Sequence, residues 1–155
     1  MGREIDWVKI RREFHQIPEL GFKEFETQKH ILKYLEEFKT NYIEIIQWRT
    51  GVILKIEGTD PKKTIGFRCD IDGLPIEEKT GLIFTSKNKG KMHACGHDFH
   101  ITFGLQMVYL LSFKRPKHNI VIIFQPAEEG PGGAELLINE NREEVAKIDE
   151  MFSFH

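Results

Sequence analysis

Apolar residues near the start of the chain recur at steps of three or four, a spacing typical of one face of an amphipathic helix. The residues of this stripe are Trp7, Ile10, Phe14 and Ile17. Pro18 and Gly21 are expected to end the helix. A second helix is predicted over 24–38, and its expected buried face comprises Phe25, Leu32, Leu35 and Phe38.

The pattern then changes to short runs that are typical of β-strands. These runs are 42–48, 51–56, 64–70 and 119–124. The last run is apolar on both faces, as expected of a central strand that helices cover on each side. A helix is predicted over 100–112 and a weaker one over 134–138. This order of elements predicts an α/β fold in which helices pack on a mixed, largely buried β-sheet.

The composition is that of an ordinary globular protein, with 40% hydrophobic and 30% charged residues in 155 positions. The 22 basic and 24 acidic residues give a net charge of -2, which supplies no bulk field for nucleic acid or an anionic membrane. No apolar run approaches the roughly 20 residues of a transmembrane helix, and no signal-peptide core is apparent. We therefore expect a cytoplasmic protein, with Cys69 and Cys95 as reduced thiols.

The segment 93–100 concentrates three imidazoles, one thiol and one carboxylate in eight residues. Cys95 and His97 are separated only by Gly96, which allows a tight turn, so both side chains can reach one point. Thiolate and imidazole suit zinc, and added carboxylates also admit manganese or cobalt. The alternative is a core cysteine beside a helix-capping Asp98, with surface histidines around it.

Two adjacent carboxylates, Glu128 and Glu129, follow the last predicted strand and precede a glycine-rich loop. Neighbouring side chains on an extended backbone point in different directions, so one could ligate a metal while the other faces a substrate. A metal-activated water needs such a carboxylate to take its proton. The alternative is a solvated acidic turn.

Alternation places the carboxylates of Asp70 and Asp72 on one side of the end of the third strand. One of them could hydrogen-bond the distal nitrogen of a ligand histidine, and the alternative is an Asx turn ahead of Pro75. His155 ends a short apolar run and could lie at a strand end beside the same cluster. The other histidines, His15, His30 and His118, are predicted to be ordinary surface or helix-face residues.

Together these motifs resemble the amidohydrolase branch of the metallo-aminoacylase and carboxypeptidase superfamily. The stretches that carry the resemblance are 15–21, 68–75, 92–98 and 124–134. Three shorter stretches, 24–28, 48–51 and 128–135, are similar more narrowly to the N-acetyldiaminopimelate deacetylases, which release acetate in a route to lysine. The resemblance implies a zinc-peptidase-like catalytic domain and the hydrolysis of an N-acetyl amino acid, most narrowly N-acetyl-L,L-diaminopimelate.

The resemblance also implies a role for each matching residue. Cys95, His97, Glu129 and His155 would be ligands of two divalent metal ions, which could be zinc, manganese, cobalt or nickel. Glu128 would be the general base, and Asp72 would lie just behind the ligands with His100 close to it. Two alternatives stay open: an amidohydrolase for hippurate or another N-acyl amino acid, and a catalytically silent metal-binding fragment.

Superfamily members are well over twice this length. Beyond the position of His155 they insert a smaller α/β domain that mediates dimerisation, and they then return to the catalytic domain with a further histidine ligand. The resemblance therefore implies that residues 1–155 are the N-terminal portion of the metal-binding catalytic domain and that the full-length form is a homodimer. Cys69 and Gly73 stand where relatives commonly carry alanine, and Phe154 replaces the usual leucine; we expect these to be packing changes.

Overall fold

The computed structural model describes residues 4–130 and 132–154. The helices in this part of the chain are α1 (Trp7–His15), α2 (Phe25–Phe38), α3 (His97–Phe113), α4 (Gly133–Glu140) and α5 (Arg142–Val145). The strands are β1 (Ile43–Trp48), β2 (Gly51–Ile56), β3 (Thr64–Asp70), β4 (Asn119–Gln125) and β5 (Glu150–Ser153).

The strands form one mixed sheet in the order β1-β2-β4-β3-β5. The pairs β1–β2 and β2–β4 are antiparallel, whereas β3 is parallel to both β4 and β5. Strand β4 is buried from Val121 to Gln125, as its two apolar faces predicted. The predicted α/β fold with a mixed, largely buried sheet is confirmed.

Helices cover both faces of the sheet. Helices α1, α2 and α3 pack on one face, in a core that includes Phe14, Leu35, Leu105 and Phe124. On the opposite face, Leu137 of α4 packs in a second cluster with sheet residues that include Ile123. None of the helices in the described part of the chain combines the length and apolar character needed to cross a membrane.

The buried face of α2 differs from the one predicted. Phe25 is 64% exposed, and the buried positions are Thr27, Ile31, Leu35 and Phe38. Phe25 lies two residues before Thr27, which places it about 200° around the helix from the buried stripe. Leu32 is only partly buried and packs at the margin of the core.

The apolar run near the end of the described chain forms strand β5, which lies at the edge of the sheet beside β3. All four residues of β5 are exposed. His155, which follows this run, lies outside the described residues. Neither cysteine forms a disulfide: Cys69 is buried and Cys95 is exposed, and both are free thiols.

Candidate metal centre

The predicted site residues that the structure describes, all but His155, gather where β3 and β4 end and α3 begins. Asp70, the last residue of β3, pairs with Gln125, the last residue of β4. Because β3 and β4 are parallel and α3 connects them, this is the carboxyl edge of a βαβ unit, where α/β proteins commonly bind ligands. The segment that follows β3 carries Asp72, and the turn that follows β4 carries Glu128 and Glu129.

Helix α3 begins at His97, three residues earlier than predicted. Gly96 precedes it with a φ of 81°, a left-handed conformation that glycine adopts without a Cβ penalty. His97 and His100 therefore both lie on the first turn, with ring centroids 5.1 Å apart, and both are buried. The glycine predicted to allow a tight turn is the residue that directly precedes this helix as its N-cap.

His97 is held through one ring nitrogen and leaves the other free. Its Nδ1 donates to the main-chain oxygen of Asp72 at 2.8 Å, and Oδ1 of Asp72 lies farther away, at 3.4 Å. The histidine partner is thus chiefly the main-chain carbonyl of Asp72 rather than a carboxylate. Nε2 is buried and has no hydrogen-bond partner among the described residues. Burial opposes protonation, but the carboxylates of Asp72 and Asp70 hold the pKa of His97 above its ordinary value.

Glu128 and Glu129 both face this free nitrogen. Oε2 of Glu128 lies 3.9 Å from Nε2 of His97, and Oε1 of Glu129 lies 3.8 Å from it. The expectation that neighbouring side chains diverge is wrong here, because the strand ends at Gln125 and Ala127 turns the chain with a φ of 55°. Both carboxylates are partly exposed, so they line an open site.

The side chain of Asp72 supports the same turn. Its Oδ2 accepts a hydrogen bond from the main-chain N–H of Glu129 at 3.0 Å. Asp72 therefore contacts both His97 and Glu129. His100 faces a different carboxylate, since its Nδ1 lies 3.6 Å from Oδ2 of Asp70.

Arg68 connects the ends of the two strands. Its Nε donates to Oδ1 of Asp70 at 2.7 Å, and its Nη2 lies 3.5 Å from Oε1 of Glu128. Burial alone would raise the pKa of Asp70, but His100 and Arg68 hold it below the ordinary value. Arg68 belongs to one of the motifs found in the sequence, yet sequence reasoning gave it no role.

Cys95 lies at the exposed rim of the site. The nearby carboxylate of Glu129, with a smaller effect of burial, raises the pKa of the Cys95 thiol to about 11. In the metal-free protein this side chain is therefore a protonated thiol at neutral pH. A divalent ion would have to displace that proton to gain a thiolate ligand.

Sequence reasoning missed His15, which is buried and not an ordinary surface residue. Its Nδ1 lies 2.8 Å from Oδ2 of Asp98, and its Nε2 lies 3.1 Å from Oε1 of Glu78. Asp98, the neighbour of His97, also accepts a hydrogen bond from Arg11 at 2.9 Å. No local pattern reveals this network, because 83 residues separate His15 from Asp98.

Among the described residues, two groups could each hold a metal ion: His97, Glu128 and Glu129, and Asp70, His97 and His100. Within each group the possible ligand atoms lie within 4.8 Å of one another. A buried imidazole nitrogen without a partner, facing two carboxylates, is an arrangement that a cation would complete. Imidazole and carboxylate ligands suit zinc, manganese, cobalt and nickel. These residues therefore fit a divalent metal ion, and the contribution of His155 stays a prediction.

Residues 66–155, more than half of the chain, match the peptidase family M20/M25/M40. The chain belongs to this family. It is 45% identical over 150 residues to an N-acetyldiaminopimelate deacetylase of Listeria monocytogenes serotype 4b, covering 97% of this chain and 40% of that protein. It is 56% identical over 128 residues to a Bacillus cytotoxicus protein of the same name, covering 83% of this chain and 34% of that protein.

Solved structures agree with this assignment. A dinuclear metal-binding peptidase of the M20 family from Bacillus subtilis superimposes with a TM-score of 0.88 at 41% identity, over 96% of this chain and 42% of that chain. A putative aminohydrolase from methicillin-resistant Staphylococcus aureus gives a TM-score of 0.87 at 38% identity, over 96% and 40%. The chain thus spans about 40% of the length of such relatives.

Proposed function

We propose that the full-length protein hydrolyses the amide bond of an N-acetyl amino acid in a metal-dependent reaction, with N-acetyl-L,L-diaminopimelate as its substrate. The observation that carries the proposal is the free Nε2 of His97, buried and facing the carboxylates of Glu128 and Glu129. The choice of an acetyl group and of diaminopimelate is supported by the names of the relatives that are 45–56% identical.

Cys95, His97, Glu129 and His155 are the residues that we propose to hold two divalent metal ions. When bound, the ions would supply Lewis acidity at the amide carbonyl and at the attacking water. The ring orientation of His97 is already fixed, because its Nδ1 donates to the carbonyl of Asp72 and leaves Nε2 directed at the site. The Glu129 main chain is likewise held, by the carboxylate of Asp72.

Glu128 is the proposed general base. Its carboxylate is partly exposed and lies close to His97, so it can take a proton from a water molecule at the site and deliver it to the leaving amine. Arg68 contacts its Oε1 and limits the directions in which the side chain can point. Asp72 acts through its contacts with His97 and Glu129.

The test is an assay of acetate release by the full-length protein, with and without a chelator. Glu128→Gln keeps the size of the side chain and removes the base, so we expect kcat to fall by about 10²–10⁴-fold while the metal content stays unchanged. Glu135→Gln, at an exposed position in the first turn of α4, is the matched control. Activity that survives both metal removal and Glu128→Gln would refute the proposal.

A substrate panel separates the acyl groups. The proposal requires a higher kcat/KM for N-acetyl-L,L-diaminopimelate than for hippurate and other N-acyl amino acids. Metal binding without turnover of any substrate would indicate a catalytically silent metal-binding protein. Homodimerisation, inferred from the resemblance, stays a prediction that light scattering of the full-length protein tests, and the cytoplasmic location stays a prediction as well.

A further inference from the structure

Glu24 is a buried carboxylate that lies outside the set of site residues but contacts the turn after β4, which carries Glu128 and Glu129. It directly precedes α2 and has no exposed surface. Its Oε1 accepts a hydrogen bond from the main-chain N–H of Ala127 at 2.9 Å, across 103 residues of sequence. Its Oε2 accepts a hydrogen bond from the hydroxyl of Thr50 at 2.5 Å.

The residue that Glu24 holds has an unusual backbone conformation. Ala127 has a φ of 55°, in the left-handed region that residues with a Cβ seldom adopt. Such a conformation persists only where the surrounding structure imposes it. The N–H of Ala127 points to Glu24, and its carbonyl oxygen accepts a hydrogen bond from Gly133 at 3.1 Å, so both sides of the residue are held.

The conformation of Ala127 decides where the next two side chains point. An extended chain would send Glu128 and Glu129 to opposite sides, whereas here an oxygen of each lies within 4 Å of Nε2 of His97. Asp72 holds the amide of Glu129, which is the far end of the same short turn. Glu24 and Asp72 therefore hold the turn from two sides.

We propose that Glu24 is a positioning residue, which holds Ala127 in its left-handed conformation so that Glu128 and Glu129 face His97 together. This inference deepens the proposed function and rests on it, because the value of the arrangement lies in metal binding by Glu129 and proton transfer by Glu128. Hydrogen-bond acceptance by Glu24, and not its charge, is the property that the turn requires.

Two substitutions of Glu24 distinguish its role as a hydrogen-bond acceptor from the volume that its side chain fills in the core. Glu24→Met fills a similar volume but cannot accept from Ala127 or Thr50. Glu24→Gln keeps one carbonyl oxygen for the N–H of Ala127, and its amide can donate to the hydroxyl of Thr50. If Glu24→Met proves insoluble, Thr50→Val removes one of the two anchors of Glu24 and serves as the milder variant.

Glu19→Ala is the matched control for loss of stability. Oε2 of Glu19 accepts hydrogen bonds from the main-chain N–H and the hydroxyl of Thr27, at 2.8 and 2.9 Å. Its removal loosens the first turn of α2 without touching a Glu24 contact. A merely structural role for Glu24 would make Glu24→Met and Glu19→Ala behave alike.

The first readout is amide hydrogen exchange of the peptide that contains 125–130, measured on the metal-free full-length protein. We expect Glu24→Met to speed exchange there, while Glu24→Gln and Glu19→Ala leave it close to wild type. This measurement needs neither metal nor substrate, so it separates failure of this inference from failure of the proposed function.

The second readout is metal affinity by chelator competition, together with kcat and KM. Groups that orient metal ligands typically contribute about 10–100-fold, so Glu24→Met should lose affinity and kcat in that range with KM little changed. Glu24→Gln should recover most of both. Unchanged exchange in Glu24→Met, or equal losses in Glu24→Met and Glu24→Gln, would overturn the inference.

Discussion

Asp72 offers a sharp test of how the candidate site is held. Its carbonyl accepts a hydrogen bond from Nδ1 of His97 at 2.8 Å, its Oδ1 lies 3.4 Å from the same nitrogen, and its Oδ2 accepts a hydrogen bond from the main-chain N–H of Glu129 at 3.0 Å. Asp72→Asn and Asp72→Ala change only the side chain. The carbonyl contact persists, so His97 keeps its Nδ1–H tautomer and presents Nε2 to a metal in both variants.

The expected loss follows from what each variant removes. Partners of metal ligands typically contribute about 10–100-fold in affinity. Because Oδ1 lies 3.4 Å from Nδ1 of His97, too far for a good hydrogen bond, Asp72→Asn should lower the metal affinity by only about 10-fold, the lower end of this range. Asp72→Ala also leaves the N–H of Glu129 without its acceptor. This adds about 1 kcal/mol to the free-energy loss, so the total loss of metal affinity should be roughly 50-fold.

The assay is chelator competition with the full-length protein, using Asp149→Ala as the matched control. Oδ2 of Asp149 accepts a hydrogen bond from the N–H of Thr64 at 2.7 Å, which is a similar contact at the opposite end of β3. Metal affinity should not change in this control. Unchanged affinity in Asp72→Ala would refute the reasoning, and a loss beyond about 10³-fold would indicate that the carboxylate itself is a ligand.

Three further predictions concern other parts of the chain. At pH 8 the metal-free Cys95 should react with iodoacetamide about 10-fold more slowly than an ordinary exposed cysteine. A pKa near 11 reduces the thiolate about 100-fold, and higher nucleophilicity restores part of the rate. An ordinary rate would contradict the effect of the neighbouring Glu129 carboxylate on this thiol. Gly104→Ala should lower the free energy of unfolding, measured in urea, by about 1–2 kcal/mol. The added Cβ would lie 2.7 Å from Sγ of Cys69, and this strain exceeds the gain in helix propensity. Adding Cys69→Ala should recover part of the lost stability, and no recovery would show that other contacts dominate. Asp98→Asn should cost about 2 kcal/mol of stability, because it removes a charged partner of the buried His15. Thermal unfolding of the full-length protein measures this loss, with Asp60→Asn at an exposed position as the control. Equal melting temperatures of the two variants would contradict the prediction.

Local pattern predicted most of the regular elements. The runs 51–56 and 64–70 coincide with β2 and β3, because alternation and β-branched residues mark a strand locally. Helix α3 begins three residues before its predicted start, since its first turn carries His97, Asp98 and His100, polar residues that are buried. Buried polar groups break the apolar periodicity from which a helix is predicted, and they concentrate at functional sites.

The contacts that hold the site could not be predicted in this way. Glu24 reaches Ala127 and His15 reaches Asp98 across 103 and 83 residues, so each pairing depends on how α1 and α2 pack against α3 and the sheet. A glutamate before a helix, or a histidine on an amphipathic helix, has a common local explanation. Only the tertiary structure shows that each one is buried beside the candidate metal centre.

The turn after β4 also changes the argument for which glutamate binds metal. On an extended strand the two side chains would point in opposite directions, and direction alone would distinguish the metal ligand from the base. Here both carboxylates face His97. Their surroundings differ: the main-chain N–H of Glu129 donates to Oδ2 of Asp72 at 3.0 Å, whereas the carboxylate of Glu128 lies 3.5 Å from the guanidinium of Arg68. A ligand benefits from a fixed position beside other ligands, and a base must move its proton between water and a leaving group. These differences support the proposed roles, with Glu129 as the ligand and Glu128 as the base, independently of the resemblance.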